Sequence, residues 1–432
     1  MTIMIWLLAL LTAFTPAAAE EADTYYVLTT NGSAALASET GELLVWPGEY
    51  SRIEALGDSG LYAARPLSGG GLGLIRADGS ALTAFEYETF EYDGERVIFA
   101  REGKWGAMDL SGNALVEAAY TRLVSAGEAG FLAFRTDPLD DTPDSLWHVS
   151  GSGEERVTGV KLSYGPLTFS ENLAEAADTA GRWGYLDGEG AWAIPPRFVW
   201  CGPFLGGAAC AVTEEGAGLI DRAGEWIVQP VFERVQRAPR AELPALGFAD
   251  GAVSLFSQRD GALIAFFEDA DAAWAGDAVC VNAGGRLFLV NAAGETVFEA
   301  DEGVVGLRAQ GGCTLIQRAF TEERPFSFVG ADGAQHGSWQ ELSFAGMYGG
   351  REYFIFSEYD TRKSEYASGL VFYDEVTGTR RYGLLNDEGD AVAGEFLSLR
   401  RTGRALLTAE TESWIGLIRP DGTVVMSLEK EE

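Results

Sequence analysis

The chain has 432 residues, 47% of them hydrophobic, which is ample material for a core and excludes a disordered chain. Its length exceeds what one core usually organises and points to several domains, or to a repeat array whose units pack only on their neighbours. Sixty-five acidic residues against thirty-one Lys and Arg give a net charge of −34, which argues by repulsion against nucleic acid and anionic lipid and leaves cationic partners or Ca²⁺.

The N-terminus reads as a secretory signal peptide over residues 1–19. Ile3 to Phe14 form an apolar run, Pro16 breaks it, and Ala17-Ala18-Ala19 offer a small-residue cleavage site before Glu20. Met1 to Met4 carry no Lys or Arg, so an uncleaved anchor is the alternative. The run is short for a bilayer span, no second apolar stretch approaches that length, and no membrane span is expected once the signal is removed.

From there the sequence repeats. The clearest unit, GRWGYLDGEGAWAIPPRFVWCGPFLGGAACAV, begins at Gly181, and EGAGLIDRAGEWIVQPVFERVQRA follows directly. Each unit has a large residue, Gly, two apolar residues, a polar turn and a closing Gly. That closing glycine recurs at Gly41, Gly79, Gly112, Gly153, Gly190, Gly224, Gly261, Gly294, Gly333, Gly389 and Gly422. Most gaps are 33 to 41 residues, and one is 56. Six residues earlier stands a second glycine at Gly73, Gly106, Gly184, Gly218, Gly383 and Gly416.

Within a unit, Tyr185-Leu186-Asp187 predicts a short strand, and Asp187 to Gly190 a turn closed by a glycine with φ > 0. Trp192 and Ile194, or Trp226 and Val228, alternate along a second strand that Pro195-Pro196 or Pro230 ends. Phe198, Phe232 and Tyr120 then pack inward, and Ala209-Cys210-Ala211-Val212 form a last strand. Ser170 to Asp178 (SENLAEAAD) has local helical propensity, but the repeat register assigns it to a strand. Such units cannot bury their apolar faces alone, so neighbours must stack.

These residues resemble the WG-repeat family, whose dipeptide appears as Trp105-Gly106 and Trp183-Gly184. The likeness is dense over Gly181 to Val212 and extends by register from about Thr24 to the C-terminus. Leu72, Ala217, Tyr382 and Ile415 replace the Trp in other units. The resemblance implies a bacterial, often exported β-repeat protein that binds other molecules, with no shared catalytic residues. The expected fold is all-β: about eleven tandem repeats of three or four short antiparallel strands over residues 20–432. It is propeller-like, with two propeller-like halves conceivable, or alternatively an open solenoid of hairpins.

Chemistry-bearing residues are sparse. Trp105 and Trp183 repeat with the fold and read as core, whereas Trp46, Trp274, Trp339 and Trp414 are freer to bind. Gly69 to Gly73 lacks the Lys and helix of a phosphate loop and reads as a turn. His148 occupies an apolar strand position and His336 a loop, and no catalytic or cofactor motif is present. Asp137, Asp140, Asp141 and Asp144 form an acidic loop that either holds Ca²⁺ or is a solvated insertion. Cys201, Cys210, Cys280 and Cys313 are small strand residues, or form two disulfides, Cys201 with Cys210 and Cys280 with Cys313. The long unit before Gly389 carries the insertion Ser357 to Ser368, whose Tyr359, Arg362, Lys363 and Tyr366 are the candidate binding residues.

The expectation is an exported, non-enzymatic binding or scaffold protein outside the cytoplasm, recognising a protein or glycan. The alternatives are an envelope enzyme with its site in an irregular repeat or channel, and a structural surface component.

Overall fold

The computed structural model describes residues 25–30, 32–38, 40–135, 145–161, 167–319, 323–330, 333–365, 371–402 and 406–430. The leader falls outside them. Among the described residues there is almost no helix: one 3-10 turn, Gly127–Ala129, accompanies the strands. No helix is long and apolar enough to cross a membrane.

The strands form ten small antiparallel sheets arranged as a β-propeller. The sixth repeat shows the plan: Trp200–Cys201, Ala208–Val212, Ala217–Asp221 and Trp226–Phe232 pair in sequence order as first to fourth strand. The second and third strands carry consecutive buried residues, because a neighbouring repeat covers each face and no side of the strand meets water. Leu173–Asp178 is the second strand of the fifth repeat, so register prevailed over helical propensity there.

Two glycines set the shape of the six units that carry both. The closing glycine has φ +84 at Gly190, +82 at Gly224 and +85 at Gly422. In the sixth repeat Asp221 Oδ1 accepts the N–H groups of Ala223 and Glu225, both at 2.9 Å, while Gly224 N donates to Asp221 O. The aspartate thus satisfies the backbone of a tight turn that a side chain at the glycine would strain. The earlier glycine has an ordinary φ and is needed for space. The fourth strand bulges across it: Ala217 pairs with Phe232 and Leu219 with Val228, four residues spanning two. The prolines sit in that bulge, outside the ladder, where a missing N–H costs nothing. They therefore do not end the strand as the sequence suggested: Trp192–Phe198 and Trp226–Phe232 run through them.

Eleven repeats occupy the ten sheets because the first two share one. Leu43–Ala55 pairs through Val45 and Tyr50 with Ser33–Ser38, then through Arg52 and Ile53 with Leu61–Pro66. It is the fourth strand of repeat one and the first strand of repeat two, run together.

The core is divided accordingly. Eleven apolar clusters each lie between two successive repeats. One of them joins the ends of the chain: Ala35 and Ala37 of repeat one pack with Leu406 and Leu417 of repeat eleven, flanked by Leu43, Val425 and Met426. Eleven contacts for eleven repeats make a closed ring, which excludes the open solenoid.

Candidate functional site

Among the described residues, the candidates singled out in the sequence lie in different repeats. Arg351–Glu365 and Val371–Asn386 pair from Tyr353–Asn386 to Glu365–Val371. The flanking strands reach only Ser357 and Tyr382. Beyond those residues the two strands form a ribbon with no third strand among the described residues. Tyr359 lies at its base and is engaged there. Its N–H donates to Gln340 Oε1 at 2.8 Å, Gln340 Nε2 donates to its carbonyl, and the Arg380 guanidinium lies 4.5 Å from its ring. Burial, then the Glu341 charge, pushes its phenol up. Arg362 and Lys363 are further out, opposite Glu375 and Tyr373. Tyr366 lies outside the described residues, as do Asp137, Asp140, Asp141 and Asp144.

The disulfide expectation is corrected, since none of the four cysteines is in a disulfide. Cys201 pairs with Ala211, next to Cys210. Neighbouring strand residues point to opposite faces, so Cys201 packs between repeats five and six and Cys210 between six and seven. Cys280 borders the cluster between repeats eight and nine, and Cys313 belongs to the one between nine and ten. Cys313 also leaves the shared register, which Leu315 takes by pairing with Phe328. Trp339 is buried and Trp274 donates its Nε1–H to Pro244 O, whereas Trp46 is exposed. His148 Nε2 lies 2.7 Å from Ala129 O, and His336 rests on the Phe328 ring. Both serve packing.

A different place has the geometry of a site. The first strands of repeats three, four and five, Thr89–Tyr92, Arg122–Ser125 and Phe169–Ser170, converge on a cleft of about 340 Å³. Tyr92 and Phe169 supply its aromatic surface, and Glu91, Arg122, Thr168 and Asn172 its polar groups. One wall is rigid. Asp93 Oδ2 accepts from Ser125 Oγ at 2.5 Å and from Arg96 Nε at 3.0 Å, and Arg96 reaches Gly127 O at 2.9 Å. Burial pushes the Asp93 carboxyl up, but the Ser125 hydroxyl, two backbone N–H groups and Arg96 together hold it below its ordinary value.

The opposite wall is strained. Glu171 and Asn172 have φ +53 and +64, where repeat six uses Gly206 and Gly207 for the same two-residue turn. Asn tolerates that conformation, whereas Glu is costly there. Glu171 is pinned across the repeat boundary, accepting Gly207 N–H at 3.0 Å and, through its carbonyl, Arg222 Nη2 at 2.9 Å. The Asn172 amide and the Thr168 hydroxyl make no hydrogen bond among the described residues. Arg122 is ion-paired to Glu91 at 2.9 Å, yet its buried Nε has no acceptor among the described residues. The one sequence signal for this cleft was the replacement of a Gly-Gly turn by Glu-Asn, legible only after the repeats are aligned.

The family model described as WG containing repeat matches residues 183–215 and 218–237. These two repeats are WG repeats. The WG motif explains the bulge geometry above, since Trp183-Gly184 and Ala217-Gly218 open the third strands of those two repeats. No curated protein matches. Among solved structures, the chain is similar to a crystal structure of the eukaryotic initiation factor, at TM-score 0.38 and 11% identity over 86% of this chain and 96% of that one. It is also similar to BamB from Moraxella catarrhalis, at TM-score 0.27 and 14% identity over 68% and 90%. PorZ, a surface component of the type-IX secretion system of Porphyromonas gingivalis, matches at TM-score 0.24 and 12% identity over 81% and 52%. These distant likenesses extend to neither chemistry nor partner. A propeller of WG repeats is compatible with a binding or scaffold role.

Proposed function

We propose that this is an exported, non-catalytic binding or scaffold protein of the cell envelope that recognises a protein or glycan, with no cofactor. The cleft between repeats three and five carries the reading. It sets Thr168 and Asn172, which make no hydrogen bond among the described residues, beside Tyr92 and Phe169, with Asn172 on the strained turn. Aromatic rings with amide and hydroxyl groups suit a neutral, hydroxyl-rich group such as a sugar unit or a Ser/Thr-rich peptide. The apolar leader and its Ala17–Ala19 cleavage site support export.

Two measurements test this. The full gene is expressed with its leader, and the intact mass of the exported protein is determined; material beginning at Glu20 supports export, and cell-retained, unprocessed chain refutes it. The recovered protein is then titrated calorimetrically with cell-wall glycan fragments and with fractionated envelope proteins. Saturable binding weakened at least about tenfold in Asn172→Ala or Phe169→Ala, a loss of the size of one good contact, supports the cleft. Saturation unaffected by either substitution removes it as the site.

A second reading, an enzyme with its site in an irregular repeat, rests on Glu175. It pairs with Tyr185 at a strand position that holds Ile98, Leu132, Cys210, Cys280 and Leu315 in other repeats. Its Oε2 is buried without a hydrogen-bond partner among the described residues, and burial pushes its carboxyl up. A hydrolytic activity abolished by Glu175→Gln would establish that reading.

A further inference from the structure

Repeat five departs from its neighbours at one turn. In repeats six, eight, nine and ten a two-residue turn joins the first strand to the second: Gly206-Gly207, Gly276-Asp277, Gly311-Gly312 and Gly349-Gly350. Each begins with a glycine, at φ +63, +72, +57 and +60. Repeat five makes the same turn between Ser170 and Leu173 but begins it with Glu171, at φ +53. A glutamate is strained there where a glycine is not, and such strain persists only where surrounding contacts over-determine it. We propose, on the reading of the cleft as the binding site, that Glu171 and Arg222 are positioning residues: they clamp this turn to repeat six and thereby fix Asn172 in the cleft wall.

The clamp has two ends. The Glu171 carboxylate accepts the Gly207 N–H, at 3.0 Å to Oε2 and 3.3 Å to Oε1. The Glu171 carbonyl accepts Arg222 Nη2 at 2.9 Å. That carbonyl belongs to the peptide unit joining Glu171 to Asn172, and the unit is planar, so Arg222 orients the backbone from which the Asn172 side chain springs. Asn172 follows at φ +64 and lines the cleft. Its Oδ1 lies 3.6 Å from where a Cβ on Gly127 would stand, so its amide reaches across to repeat four.

Linking two turns does not by itself require strain. Asp277, the second residue of its turn, accepts the Gly311 N–H at 2.8 Å, and Glu352, on the strand after its turn, accepts the Gly312 N–H at 3.1 Å. Neither has a positive φ. In repeat five the second position belongs to Asn172, whose neutral amide both donates and accepts, whereas a carboxylate would only accept and would bring a charge to the cleft. The linking carboxylate is displaced to the first position, and the strain comes with it. Neither Arg222 nor Gly207 lines the cleft. Part of the cleft's affinity is therefore set from repeat six, by ordering Asn172 before a ligand arrives.

The full protein as recovered after export tests this in two steps. Without ligand, Glu171→Ala should speed hydrogen exchange at the Gly207 amide, and Arg222→Ala should speed it over residues 170–173. Unchanged rates in both variants would mean that there is no clamp and would overturn the proposal. The protein is then titrated calorimetrically with cell-wall glycan fragments. Glu171→Gly gives repeat five the unstrained turn of repeat six and is expected to fold. It and Arg222→Ala should each weaken binding about tenfold, a loss of the size of one good contact. In an Asn172→Ala background neither should weaken binding further, because the clamp acts through that amide. Losses that still add in that background would show a purely structural role and overturn the proposal. Binding weakened by Asn172→Ala but by neither Glu171→Gly nor Arg222→Ala would overturn it and leave the cleft standing. Saturation that Asn172→Ala leaves intact, or no saturation at all, would overturn it together with the glycan reading of the cleft.

Discussion

A Cβ on Gly106 would lie 2.6 Å from the carbonyl oxygen of Val116, closer than any real Cβ contact. The glycine of the WG dipeptide is thus the place where the fourth strand crosses the third, and the bulge exists because no side chain blocks it. Gly181 offers the contrast, with φ +84 and nothing within 4 Å of an added Cβ. Gly106→Ala should cost about 3 kcal/mol, the upper range for overpacking, and Gly181→Ala about 1 kcal/mol of left-handed strain. Urea unfolding followed by tryptophan fluorescence measures both. Equal losses would mean that crowding is not what the first glycine relieves.

Ring closure depends on a small apolar seam. Leu417 is wholly buried against Ala35 and Ala37, so Leu417→Ala should destabilise by about 2–5 kcal/mol. It should also speed hydrogen exchange in Ser33–Ser38, far away in sequence. Exchange that changes only within residues 406–430 would show that the ends do not meet in solution.

The thiols should be inert in the native state. Burial pushes Cys201 up to about 12 and also raises Cys210 and Cys280, so little thiolate exists at neutral pH. Alkylation by iodoacetamide is expected to be slow until denaturant is added and then to modify all four residues without reductant. Modification that requires reductant would restore the disulfides.

Two carboxylates should respond to pH with opposite sign. Asp93 is depressed when folded, so it contributes stability above the ordinary aspartate value, lost as pH falls through the lower folded value. Ser125→Ala removes part of that contribution, and its deficit should be largest above about pH 4. Glu175 is raised when folded, so its charge costs stability above the raised value and costs nothing once pH is below the ordinary glutamate value. Glu175→Gln should therefore raise the melting temperature at neutral pH and leave it unchanged below about pH 4. Melting curves across pH decide both, and a Glu175→Gln gain that persists in acid would mean that packing, not charge, is responsible.

The repeat was legible because turn and crossing glycines are local requirements, each set by one residue's φ or one missing Cβ. Gly190 and Gly184 therefore declared their strands in sequence, and their register corrected the helical appearance of Leu173–Asp178. The cleft was not legible. Glu91, Arg122 and Asn172 are separated by one repeat each, and only the stacking of three units brings them together. The Cys201 and Cys210 thiols looked like partners from their spacing, but the pleat sends them to opposite sides of one sheet.

By itself the sequence determined an all-β chain of eleven glycine-punctuated repeats, because hairpin turns and strand alternation are short-range properties. Only the tertiary structure decided that Leu43–Ala55 serves two repeats and that Leu417 meets Ala35. Those outcomes depend on the small rotation between successive repeats. It accumulates over the whole chain, and no single repeat encodes where the ring will close.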